Sequence, residues 1–147
     1  MEPMTGLLYK SVAARTLAPL ETELLLRKAR IRNTRERLSG VLLYSDYFFM
    51  QYLEGPTGAV NRLYDEIARD PRHRAVPLLW HGPVTHREFA EWSMAYRPLL
   101  TTDAAVEARC WLLGSAPEPS QLGVPRQMLL KFLDTGRVKP ALYDLGT

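Results

Sequence analysis

The chain has 147 residues, 46% hydrophobic and 24% charged, with a formal net charge of +3 at pH 7. Those values suit one globular domain with its own core and exclude a disordered or fibrous chain. No apolar run approaches the roughly 18 residues of a membrane span. The start Met1-Glu2-Pro3-Met4-Thr5 has neither a basic region nor an apolar core, so no signal peptide is expected. Cys110 is the single cysteine, which leaves no internal disulfide and points to a reducing, cytoplasmic setting. Beside Trp111 in a helix-patterned stretch, it reads as an inert buried thiol. The basic residues Arg27, Lys28, Arg30, Arg32, Arg35 and Arg37 cluster, but Glu21, Glu23 and Glu36 dilute them. Most of the cluster is expected to be a solvated helix face, with one or two arginines free to hold a ligand phosphate. His81 and His86 have no metal-ligand spacing with any cysteine or carboxylate, so no metal site is expected.

In chain order, residues 6–11 read as a strand with Leu7, Tyr9 and Ser11 on one face. Residues 20 to about 35 read as a helix whose apolar stripe is Leu20, Leu24, Ala29 and Ile31, with Leu25 alongside. Residues 40–44 and 47–54 form a hairpin about Ser45-Asp46. Gly55-Pro56 ends it, and a helix over 57–69 follows, with Thr57 as cap and Val60, Leu63, Tyr64 and Ile67 inward. Asp70-Pro71 stops that helix, and strands are expected over 76–81 and 92–97, the latter placing Trp92, Met94 and Tyr96 on one face. Helices are expected over 103–113, with Thr102 as cap, and over 125–135, with Pro125 at its start and Gly136 beyond its end. The order β-α-β-β-α-β-β is an α+β, ferredoxin-like plan with one extra strand. Two helices cover one face of its sheet. The strands are apolar on both faces, so the C-terminal helices are expected to cover the other. Residues 1–100 would form the core domain and 101–147 a helical extension, packed on the sheet or in an oligomer interface.

One strand carries an exception to its own apolar pattern. Gln51 shares a face with Phe49 and Leu53, while Phe48, Met50 and Tyr52 share the other. A buried carboxamide without partners costs about 1–3 kcal/mol, so something must meet Gln51. Ferredoxin-like topology makes the strands of Tyr9 and Gln51 central neighbours, and Asn33 at the end of the first helix points at the same region. A phenol and two carboxamides beneath two helices make a neutral polar pocket with no general base, suited to a flat heteroaromatic ligand.

The ordered segments Leu8-Tyr9-Lys10-Ser11, Ala29-Arg30-Ile31-Arg32-Asn33 and Ser39-Gly40-Val41-Leu42-Leu43-Tyr44 carry a family resemblance. So do Phe49-Met50-Gln51-Tyr52-Leu53-Glu54-Gly55, Asp70-Pro71-Arg72-His73 and Arg87-Glu88-Phe89-Ala90-Glu91-Trp92-Ser93-Met94. In order and spacing they resemble a BLUF domain, the blue-light sensor that uses a flavin, over residues 7 to about 98. Two departures stand out: Tyr47 occupies the turn position where the family commonly has glycine, and Arg32 precedes Asn33 where some members have histidine.

The resemblance implies that Tyr9 gives an electron and a proton to the excited flavin and that Gln51 bridges Tyr9 and the flavin N5/O4 edge. It implies that Asn33 bonds the O4/N3 side and that Arg72 and His73 meet the ring or its O2 side. Arg32 would lie over or beside the ring, with Ser11, Leu25, Phe49 and Ile67 lining the slot. Trp92 and Met94 would relay the signal. The cofactor would be FAD, with FMN the alternative. Output would pass to a separate signalling protein or through homo-oligomerisation, without net catalysis, membrane attachment or direct nucleic-acid binding.

Two other classes compete. An acylphosphatase-type enzyme needs a glycine-rich phosphate loop after the first strand, and Val12-Ala13-Ala14-Arg15-Thr16 has no glycine. An RRM-like nucleic-acid binder needs exposed strand aromatics, and those here fall on faces expected to be covered.

Overall fold

The computed structural model describes residues 3–12, 18–45, 48–71, 77–98, 102–114 and 122–136. The chain divides into two compact units, Met1–Leu100 and Thr101–Thr147. The first contains β1 (Met4–Val12), α1 (Pro19–Glu36), β2 (Ser39–Ser45), β3 (Phe48–Pro56), α2 (Thr57–Arg69), β4 (Leu78–Pro83) and β5 (Ala95–Pro98).

The strands form a single sheet in the order β4-β1-β3-β2-β5. β1 and β3 pair antiparallel at its centre, and β5 joins the edge of β2 in parallel. This is the mixed α+β, ferredoxin-like plan with a fifth strand. The central register sets Tyr9 directly opposite Gln51 and Leu7 opposite Leu53. On the other side of β3, Leu42 faces Gln51. One face of the sheet packs Leu7, Tyr9 and Leu53 against Leu26 of α1 and Ala59, Val60 and Leu63 of α2. The burial of these side chains is the main favourable term holding the two helices to the sheet.

α2 follows its sequence pattern, with Val60 and Leu63 buried and Tyr64 and Ile67 packed against them. Thr57 does not cap it. It is the first helical residue, behind Pro56, and its hydroxyl instead meets the Thr5 hydroxyl at 2.7 Å and the Pro3 carbonyl at 3.3 Å.

α1 departs further. Leu20 and Ile31 are 65% and 63% exposed and Leu24 is also exposed, so three of the expected stripe residues face water, while Ala29, with Leu25 alongside, is half-buried. Leu26 and Asn33 are the buried residues of this helix. Arg37, in the left-handed conformation with φ 61°, ends α1 as the main-chain N–H of Leu38 returns 2.7 Å to the Asn33 carbonyl.

The last strand is shorter than expected and begins at Ala95, so Trp92 and Met94 precede it. The main-chain carbonyls there serve other partners. Trp92 accepts from the Gly40 N–H at 3.0 Å, Ser93 from the Asn33 amide at 2.6 Å and Met94 from Arg30 Nε at 3.0 Å. β4 lies at the sheet edge, with Leu78 and Leu79 exposed.

The second unit holds α3 (Thr102–Leu113) and α4 (Val124–Gly136). Ala105, Ala108 and Leu112 are buried on α3, and Leu129, Leu130 and Leu133 on α4. Arg126 ties the pair by donating to the Leu112 carbonyl at 2.8 Å. Cys110 is exposed, contrary to the expectation of a buried thiol, because it falls outside the Ala105–Ala108–Leu112 side of α3. Among the described residues, no helix is long and apolar enough to cross a membrane.

Candidate ligand site between the two helices and the sheet

Tyr9 and Gln51 are cross-strand partners, so their side chains leave the same face of the sheet side by side. The Tyr9 hydroxyl donates to Gln51 Oε1. At its other end, Gln51 Nε2 donates to the Met94 thioether sulfur at 3.4 Å. Both residues are almost fully buried, Tyr9 at 2% and Gln51 at 6% exposure. The carboxamide therefore faces an oxygen donor on one side and a weak sulfur acceptor on the other.

This pair stands at a cavity of about 320 Å³, within the size range of small-molecule sites. Leu25 and Arg32 of α1, Phe49 and Gln51 of β3 and Ile67 of α2 line it together with Tyr9. Met94 reaches it from the segment before β5, while Lys28, Glu66 and Asp70 supply further charge around it. Tyr64 of α2 packs edge-on against Tyr9, with ring centroids 5.9 Å apart. Tyr44 stacks on Phe49 at 4.9 Å.

Burial pushes the Tyr9 phenol well above the ordinary tyrosine range, partly offset by the Arg32 charge. The hydroxyl therefore stays protonated at neutral pH and has a proton to give. Burial also lowers Arg32, against the pull of Glu66 and Tyr9. Two buried polar atoms of α1 have no hydrogen-bond partner among the described residues: Nε of Arg32, which lines the cavity, and Oδ1 of the adjoining Asn33, which does not. Because a buried unpaired polar atom is costly, such atoms mark where a bound molecule completes the structure. They offer one acceptor and one donor. With the phenol–carboxamide pair, they fit a planar ring system that carries both carbonyl and N–H edges, as a flavin does.

The structure thus gathers Tyr9, Leu25, Arg32, Phe49, Gln51, Ile67 and Met94 around one cavity. Asn33, one residue after Arg32, is fully buried and donates its amide to the Ser93 carbonyl, but it does not itself line the cavity. Ser11 is buried in the row of Phe49 but does not line the cavity. Trp92 is 42% exposed and likewise does not line it. Arg72 and His73 lie outside the described residues. Leu42, Leu63 and Glu66 also line the cavity without having been expected there. Leu42 was within reach, since the alternation of the 40–44 strand sets it opposite Gln51. Glu66 carried no such signal, because a charge on an amphipathic helix ordinarily faces solvent.

A ferredoxin-like sheet with a slot under its helices, walled by leucine, isoleucine and phenylalanine and floored by a neutral phenol–carboxamide pair, is a domain built around a flat buried ligand. The family model described as "BLUF: Sensors of blue-light using FAD" matches residues 4–95. The chain belongs to this family.

The chain is 38% identical over 92 residues to photoactivated adenylate cyclase subunit beta of Euglena longa, covering 62% of this chain and 11% of that subunit. It therefore spans only a small part of the curated relatives it matches. Among solved structures, the dark state of the BLUF protein BlrB is 30% identical with a TM-score of 0.64, covering 88% of this chain and 92% of that one. Klebsiella pneumoniae BlrP1, in complex with manganese and cyclic diGMP, is 30% identical with a TM-score of 0.76, covering 90% of this chain and 33% of that one.

Proposed function

We propose that this protein converts blue light into a change of hydrogen bonding at Gln51 and that Tyr9 starts the change. The carrying observation is that Gln51 is held between unlike partners, the Tyr9 hydroxyl on Oε1 and the Met94 sulfur on Nε2. A bound flavin supplies blue-light absorption and, once excited, the pull for an electron. Tyr9 answers with an electron and the proton on its Oη, which burial keeps in place. Loss of that proton removes the donor that Gln51 Oε1 accepts from. The carboxamide then gains by exchanging its ends or its tautomer, which needs little heavy-atom movement. Because a thioether is a weak acceptor, leaving Met94 costs the Nε2 end little. Return of the electron and proton to Tyr9 leaves Gln51 in its new state, so there is no net reaction.

Asn33 and Arg32 hold the ring edge through the orphaned Oδ1 and Nε. Leu25, Phe49 and Ile67 press on its faces and exclude water. Arg72 and His73 are assigned to the ring or its O2 side and Ser11 to support of the Phe49 row. Met94 and Trp92 pass the change onward.

The cofactor is assigned as FAD, with FMN the alternative. The protein is read as a non-enzymatic, cytoplasmic sensor that signals to a separate protein and self-associates, with the α3–α4 pair as the carrier of output. Flavin released from the purified protein by heat and separated by chromatography tests the cofactor. FAD is expected. FMN alone would correct the assignment, and no flavin after reconstitution with either would defeat the reading.

A further inference from the structure

Glu54 takes no part in the ligand slot. It follows Gln51 by three positions on β3 and so lies on the opposite face of the sheet, fully buried. Its carboxylate accepts from the Tyr52 hydroxyl at 3.2 Å and the Ser39 hydroxyl at 2.9 Å. It also accepts two main-chain N–H groups, Glu88 on Oε1 and Phe89 on Oε2, each at 2.7 Å. Arg87 closes the cluster, donating to Ser39 Oγ at 2.9 Å and to the Arg37 carbonyl at 2.7 Å. Gly6 pairs with Glu54 across the sheet and leaves room for the Tyr52 hydroxyl that donates to Glu54, since a Cβ there would stand 2.5 Å from it.

Taking a carboxylate out of water is expensive, and one met by this many donors is a built anchor. The thing it anchors is the segment that ends at the light-sensing pair. From Phe89 the chain turns, with the Trp92 N–H on the Phe89 carbonyl at 3.0 Å. It rounds β2, where the Gly40 N–H takes the Trp92 carbonyl, and reaches the slot with Ser93 on Asn33 and Met94 on Gln51. One short segment thus joins a carboxylate on one face of the sheet to the switch on the other.

We propose that Glu54 is a positioning residue for the light response: it clamps the 88–89 end of this segment, so that a rearrangement of Gln51 displaces only the 92–94 end. Two N–H groups from successive residues on the two oxygens of one carboxylate fix both the place and the direction of the chain. A segment loose at both ends would absorb the change at Gln51. A segment clamped at one end must yield at the other, where it holds β2 through Gly40 and α1 through Arg30 and Asn33. The proposal rests on the reading that Gln51 rearranges in light.

The test is residue-resolved amide hydrogen exchange on the flavin-loaded protein, in the dark and under blue light, with its visible spectrum recorded alongside. In the native protein the Glu88 and Phe89 amides should keep their dark protection under light, while the Gly40 amide exchanges at least about fivefold faster. In Glu54→Gln a carboxamide NH₂ faces one of the two N–H donors. Dark exchange at Glu88 and Phe89 should rise about tenfold or more and the light–dark contrast at Gly40 should shrink, with flavin binding and the spectral shift retained. Tyr52→Phe removes one hydroxyl but neither amide anchor and should keep the native pattern. Glu88 and Phe89 losing protection in light together with Gly40 would overturn the clamp. So would an undiminished Gly40 contrast in Glu54→Gln. The native comparison decides the matter even if that variant does not fold. A native protein with no reversible spectral shift would overturn the sensor reading itself, and the clamp with it.

Discussion

Tyr9 and Gln51 do chemically different things with the same hydrogen bond. The phenol is held neutral by burial, and the carboxamide is held between an oxygen donor and a sulfur acceptor. Tyr9→Phe should still bind flavin, because the ring remains, but should lose the reversible light response. It leaves Gln51 Oε1 short of its donor, at a stability cost of about 1–3 kcal/mol, measurable by denaturant titration. Gln51→Leu should also retain flavin and lose the response. A normal light cycle in either variant would defeat the assigned roles. Asn33→Ala removes both the amide bond to Ser93 and the orphaned Oδ1. It should weaken flavin binding about fivefold to a hundredfold, the equivalent of about 1–3 kcal/mol, as read by fluorescence titration. The amplitude of the light response should stay flat from about pH 6 to pH 9, below the ordinary tyrosine range, since Tyr9 stays protonated throughout.

At the scale of elements, the parts that read correctly from the sequence are those whose apolar residues pack on protein. α2 sends Val60 and Leu63 into the core as its periodicity requires. Leu63→Ala should cost about 2–5 kcal/mol by leaving a cavity. α1 misleads because its inner side is a cavity wall. Leu25, Ala29 and Arg32 line the cavity and Asn33 is buried, so the inward surface is partly polar and the leucines at 20 and 24 are left outside. Leu24→Gln should therefore change stability by no more than about 0.5 kcal/mol, whereas an inward-facing leucine would cost several times that. β5 begins at Ala95 rather than at residue 92 for a related reason. The carbonyls of residues 92–94 are taken by Gly40, Asn33 and Arg30, and no alternation pattern records such partners. That Tyr9 and Gln51 share one face of neighbouring strands was legible from alternation and strand order; their direct opposition was not, because alternation fixes the face of a residue but not the offset between strands.

For the molecule as a whole, burial defines the alkaline limit. Tyr96 is pushed up to about 12 by burial, with the neighbouring Tyr44 adding to it, and Tyr9 and Tyr52 are pushed further. The folded state then holds protons that the unfolded chain has released, so stability should fall as pH rises from about 10 through about 12. Thermal melts across that range check it, and a flat profile would contradict the burial of these phenols. The sheet separates two buried polar groups, the Glu54 cluster on one face and the Tyr9–Gln51 pair on the other. The measurement that bears most directly on the central claim is the visible absorption spectrum of the flavin-loaded protein before, during and after blue light. The flavin bands should shift to the red under light, return fully in the dark and not shift in Gln51→Leu. Bands that stay fixed in the native protein, or shift equally in that variant, would contradict it.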